Sequence, residues 1–159
     1  MVLTLLVGCG QPQTATTKSA GRCSEIIFLP LQTGSHLIGD AGPPVPYSST
    51  PPTSGWHASG PPPLGVFDEP LSEPAQVSTL EAGGVVVTHH GLSAADQAQL
   101  AATLDREGAD RSAMTHYDAL AAGQVVFASW GAMQRCDGVD TAALSAYVRA
   151  YGTPITRHR

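Results

Sequence analysis

Hydrophobic and polar positions alternate or recur with a readable period along much of the chain. Gly83-Gly84-Val85-Val86-Val87-Thr88-His89 is β-branched and glycine-led, and predicts a strand over Val85–His89. Gln124-Val125-Val126-Phe127-Ala128-Ser129-Trp130 predicts a second. Ser93, with Asp96 three residues on, has the form of a helix N-cap. Leu100, Ala101 and Leu104 then fall on one face, and Gly108 is a stop. Asp140 caps a further helix whose Leu144, Tyr147, Val148 and Tyr151 recur at the spacing of one buried face; Gly152 and Pro154 end it. Weaker extended runs lie at Glu25–Leu29, stopped by Pro30, and at His36-Leu37-Ile38. Met114–Tyr117 is ambiguous, with a strand as one reading.

Between these elements lies a different texture. Ten of the 13 prolines fall from Pro43 to Pro74. Proline lacks an N–H and fixes φ, so Pro51–Gly84 is expected to be an ordered, irregular loop. It carries Trp56, His57 and Phe67, which a plain linker would not need, and it is the expected functional surface. The expected fold is α+β: a small two-layer domain with two helices on a short sheet and a long proline-rich loop.

The N-terminus changes the picture. Leu3–Val7 is apolar, and Leu6-Val7-Gly8-Cys9 resembles the bacterial lipobox, in which the cysteine receives lipid. The run is short for a signal and lacks a basic flank, so the true start is expected upstream of Met1. This divides the chain into a signal remnant (1–8), a lipidated tether (9–22) beginning at Cys9, and one domain (23–155). Export leaves Cys23 and Cys136 in an oxidising compartment, where they are expected to form a disulfide. Localisation is then extracytoplasmic, on a bacterial membrane through the lipid anchor only. With a net charge of −5 and Lys18 as the sole lysine, the chain has no basic cluster for nucleic acid.

Six histidines are present, but none sits in H-E-x-x-H. There is no CxxC, G-x-S-x-G or P-loop, so strong zinc and hydrolase signatures are absent. Ser54 and His57 lie close in sequence without identifying a catalytic constellation. On a regular strand His89 and His90 point to opposite faces, and His90 reads as a strand-end surface residue.

Three motifs recur in order: Pro51-Pro52-Thr53-Ser54-Gly55-x-His57, then Val77-x-x-Leu80-Glu81-x-Gly83, then Ala128-x-Trp130-Gly131. Together they resemble the bacterial domain of unknown function family 3105. That family shows PPTSG-x-H, V-H-S-L-E-H-G and a late A-W-G, with a histidine often upstream where His36 stands. Ser78 and Ala82 replace the two histidines of the second motif, and His89 falls where relatives often have tyrosine. The resemblance implies an exported protein of undefined function and points to His36, His57 and Glu81 as metal ligands, with His89 a local substitute. Imidazole suits copper or zinc. An alternative is a structural or interaction protein that meets an envelope partner. A hydrolase using His57 and Glu81 as base and acid is a third reading. The pattern favours a binding protein over an enzyme.

Overall fold

The structure, a computed structural model, describes residues 21–39 and 41–155. In chain order the elements are β1 (Arg22–Cys23), β2 (Ile27–Phe28), β3 (His36–Leu37), β4 (His57–Ala58), β5 (Gly65–Val66), α1 (Glu73–Glu81), β6 (Val85–His89), α2 (Ala94–Gly108), β7 (Ser112–His116), β8 (Gln124–Ser129), β9 (Ala132–Asp137) and α3 (Thr141–Tyr151). The main sheet runs β1-β9-β8-β6-β7-β5, with β2 also on β9; β3 and β4 form a separate parallel pair. At the centre β6 is parallel to β7 and antiparallel to β8, so the sheet is mixed. The fold is α+β, as the periodicities imply.

Alternation along the strands sorts the core onto two faces. Val85, Val87, Met114, Val125 and Phe127 meet Leu100 and Leu104 of α2 and Leu144, Tyr147 and Val148 of α3. The intervening Val86, Ala113 and Ala128 meet Leu80 of α1. Both expected helices therefore cover one face of one sheet. A third helix covers the other, which corrects the two-layer, two-helix expectation.

That helix also corrects the reading of Pro51–Gly84 as one long loop. The segment contains β4, β5 and all of α1. Pro74 stands in the first helical turn, where the missing N–H had no intrahelical partner to lose. Ser72 caps the helix by accepting from the Ala75 N–H. Every residue from Gln76 to Leu80 is buried, so α1 has no polar stripe for a period to reveal.

The other caps form as the sequence implies. Ser93 Oγ accepts from the Asp96 N–H at 3.2 Å, and Asp140 Oδ1 accepts from the Ala143 N–H at 2.9 Å. Of the ambiguous Met114–Tyr117, the first three residues belong to β7 and Tyr117 follows its end. The unforeseen β9 returns from β8 through Trp130-Gly131, with Gly131 at φ +72°. Gly131 also donates to Thr53 O at 3.0 Å and accepts from Leu29 N at 2.8 Å. The late Trp-Gly motif thus fastens the PPTSG segment and the β2 strand to the same turn. Cys23 and Cys136 are disulfide-bonded across the β1–β9 pair. Cys9 lies outside the described residues. Among those described, no helix is long and apolar enough to cross a membrane.

Tyr147 closes the α3 side of the core. Its hydroxyl donates to Ala132 O at 3.0 Å and lies 3.1 Å from Ser129 Oγ. Burial pushes its pKa up to about 12, against the lowering effect of the Ser129 bond. The unfolded phenol ionises near 10, whereas the folded one must stay neutral, so this group's contribution is intact below pH ~10 and is lost as pH rises from there towards 12. Tyr147→Phe is expected to cost about 1 kcal/mol at neutral pH through the lost hydrogen bond. It should also flatten the alkaline fall in urea stability between pH 9 and pH 11. An unchanged alkaline slope would place the titrating group elsewhere.

Candidate functional site

Among the described residues, two clusters of imidazoles are assembled. The first lies on the face that α1 covers. Gly34 packs so closely on the next segment that an added Cβ would lie 2.1 Å from Gly55 C. This close approach lets β3 lie against β4, where His36 and His57 are direct partners in the parallel register. Their rings meet edge to face, with centroids 4.5 Å apart. His57 Nδ1 lies 3.0 Å from Gly55 O. A carbonyl only accepts, so Nδ1 carries the proton and Nε2 carries the lone pair. That Nε2 is buried and has no hydrogen-bond partner in the structure. His36 is exposed.

Helix α1 packs beside this pair. Ser78 Oγ, at the first position where the resembled motif has histidine, donates to Ala58 O at 2.8 Å and also contacts Pro74 O at 3.0 Å. Thr79 Oγ1 donates to Pro63 O at 2.8 Å. Glu81 is the exposed last residue of α1, three positions and so nearly one turn beyond Ser78. No hydrogen bond joins it to His57. Ser54, 1% exposed, accepts from Gln32 N at 2.8 Å and serves the backbone rather than a base.

The second group lies at the C-terminal ends of the parallel strands β6 and β7, where His89 is the register partner of His116. Their rings stand at 87° with centroids 5.7 Å apart. The expected ligand His89 thus belongs here, with its side chain on the α2/α3 face of the sheet, the opposite face from α1. His90 follows the last strand residue, where alternation no longer holds it apart, and its ring lies 5.1 Å from that of His116. His116 Nε2 is 2.6 Å from Asp118 Oδ1. One ligand-capable atom from each of His90, His116 and Asp118 lies within 4.8 Å of the others. Burial holds the His89 pKa below the ordinary imidazole value, and the neighbouring His116 and His90 lower it further. Its Nδ1 and that of His90 are both buried without a hydrogen-bond partner. A cavity of about 290 Å³ opens beside His89 and His116, bordered by Val66, Phe67, Asp68, Pro70 and Gln97.

The expected ligands therefore divide: His36 with His57, His89 with His116, and Glu81 on α1 between neither pair by any bond. Sequence reasoning missed His116 and Asp118. The signal available was His-x-Asp directly after a β-prone run.

No curated protein and no solved structure matches the chain. The model of a family described as protein of unknown function (DUF3105) matches residues 40–157, a span that includes His57, α1, the Trp-Gly turn and both helices of the other face. By that match, over most of its length, the chain belongs to the DUF3105 family.

Proposed function

We propose that this chain is an extracytoplasmic, lipid-anchored protein that binds a transition ion, copper or zinc, through imidazole. The observation that carries this reading is the bare Nε2 of His57. A buried acceptor without a partner costs about 1–3 kcal/mol, so this nitrogen calls for a partner that the chain itself does not supply. The Gly55 carbonyl fixes the tautomer that leaves Nε2 free, the same orienting bond that metal-binding histidines make with their second nitrogen. His36 supplies a second imidazole on the same side of the parallel pair. Glu81 is the carboxylate offered from α1.

Purified protein dialysed against zinc or copper should retain about one ion at this pair. His57→Ala should weaken that binding about tenfold or more. Equal metal content in wild type and His57→Ala would remove the pair from consideration. A Cys23–Cys136 bridge is in keeping with an oxidising compartment. Cys9 is the proposed anchor. With an upstream start restored, labelled fatty acid should enter the protein and be lost in Cys9→Ser; a mature N-terminus elsewhere would refute the anchor.

A second reading has its own observation. Ile27, Phe28 and Leu31 stand exposed on one segment, Phe28 at 73%, and such surface suits an envelope partner. Retention of membrane proteins by the wild type and not by Phe28→Ser would favour it.

A further inference from the structure

We propose a second metal centre, independent of the His36–His57 pair: a zinc-like divalent ion held by His90, His116 and Asp118, with its fourth position open to the cavity beside His89. The ligand set is complete for such an ion. Zinc sites that react with exogenous molecules keep three protein ligands and one exchangeable position, and two imidazoles with one carboxylate are a recurrent set. The three ligand atoms already lie within 4.8 Å of one another. A tetrahedral ion with bonds of about 2.0–2.1 Å needs them ~3.3 Å apart, a change within reach of side-chain rotation. His116 and Asp118 now bond each other at 2.6 Å, and an ion would take the place of that shared proton.

The position in the fold fits. In sheets with parallel strands, ligands gather beyond the carboxyl ends of the strands. β5, β6 and β7 are parallel here, and the histidines stand at the carboxyl ends of β6 and β7. β6 is buried throughout and β7 all but its last residue, so their ends are where donors can be presented. The cavity lies on the His89–His116 side and is walled by apolar Val66, Phe67 and Pro70, with Gln97 and the Asp68 carboxylate as polar neighbours. A divalent ion with one carboxylate ligand keeps a net positive charge. Its open position therefore takes a donor directly on the ion, water, hydroxide or a small anion such as azide, while the Asp68 carboxylate on the wall disfavours larger anions in the cavity.

Cobalt(II) reports both claims, because its visible bands respond to ligand identity and to the fourth ligand. Metal-free wild-type protein titrated with cobalt should develop the bands of a low-coordinate site, and zinc should erase them. Asp118→Asn and His116→Ala should each weaken uptake about tenfold or more. Asp118 has a largely exposed side chain, so its substitution tests the site without testing the fold. Azide added to the cobalt protein should shift the bands, and Val66→Trp, which puts a large ring on the cavity wall, should abolish the azide response while keeping cobalt. Absence of bands in the wild type, or bands unaffected by Asp118→Asn and His116→Ala, would overturn the centre. Bands insensitive to azide would overturn the open position.

Discussion

Replacing Cys23 and Cys136 together by alanine is expected to cost about 2–5 kcal/mol. The bridge spans a sequence separation of 113 residues, for which the chain-entropy relation gives about 5 kcal/mol. Residual structure in the reduced, unfolded chain lowers the realised value. Packing adds to the loss, because Cys136 is 1% exposed and belongs to the cluster of Val125, Phe127 and Leu144. β1 is only two residues long, so its hydrogen bonds alone hold it weakly to β9. Urea unfolding of the oxidised and alanine forms should show a lower midpoint for the alanine form and a steeper slope, since its unfolded state exposes more surface. Coincident curves would mean that the bridge contributes nothing. The consequence is local: β1 is held at the sheet edge by a covalent clamp rather than by its hydrogen bonds alone.

What the sequence made legible follows local rules. β6 and β8 are runs of β-branched and aromatic residues, and α2 and α3 announce themselves through Ser93 and Asp140 at their caps. These features depend on neighbours within a few positions. β9 does not. Ala132-Met133-Gln134-Arg135-Cys136-Asp137 has little intrinsic strand preference, and it is extended because β8 pairs with it on one side and β1 and β2 on the other. α1 was hidden for two reasons. Its five consecutive buried residues carry no stripe, and proline opposes a helix everywhere except in the first turn, where Pro74 stands.

The sites divide in the same way. The pairing of His36 with His57 was legible only through the resemblance, and its physical cause is the parallel β3–β4 register. His90, His116 and Asp118 required the long-range pairing of β6 with β7, which local periodicity does not specify. Alternation also misdirected the reading of His90. The rule that separates adjacent side chains holds within a strand, and His90 lies one residue past the end of β6.

Leu80→Ala is expected to cost about 2–5 kcal/mol and to act most strongly on the His57 side of the molecule. Leu80 is fully buried and is the α1 residue in the cluster with Val86, Ala113 and Ala128. Two of those partners are alanines, which cannot move to fill the space, so a cavity should persist. α1 also anchors the motif segment through Ser78 to Ala58 and Thr79 to Pro63. Loosening the helix should therefore loosen β4 and the bare nitrogen of His57. Leu100→Ala provides the comparison: equally buried, it packs on the opposite face of the sheet. Both variants should lose stability. Hydrogen exchange should separate them, with faster exchange in α1 and at the His57 amide for Leu80→Ala, and in α2 for Leu100→Ala. The metal affinity proposed for the His36–His57 pair should fall in the first variant and hold in the second. Equal acceleration everywhere in both would mean that the two faces open only as one unit, and that α1 has no separate hold on the His57 pair.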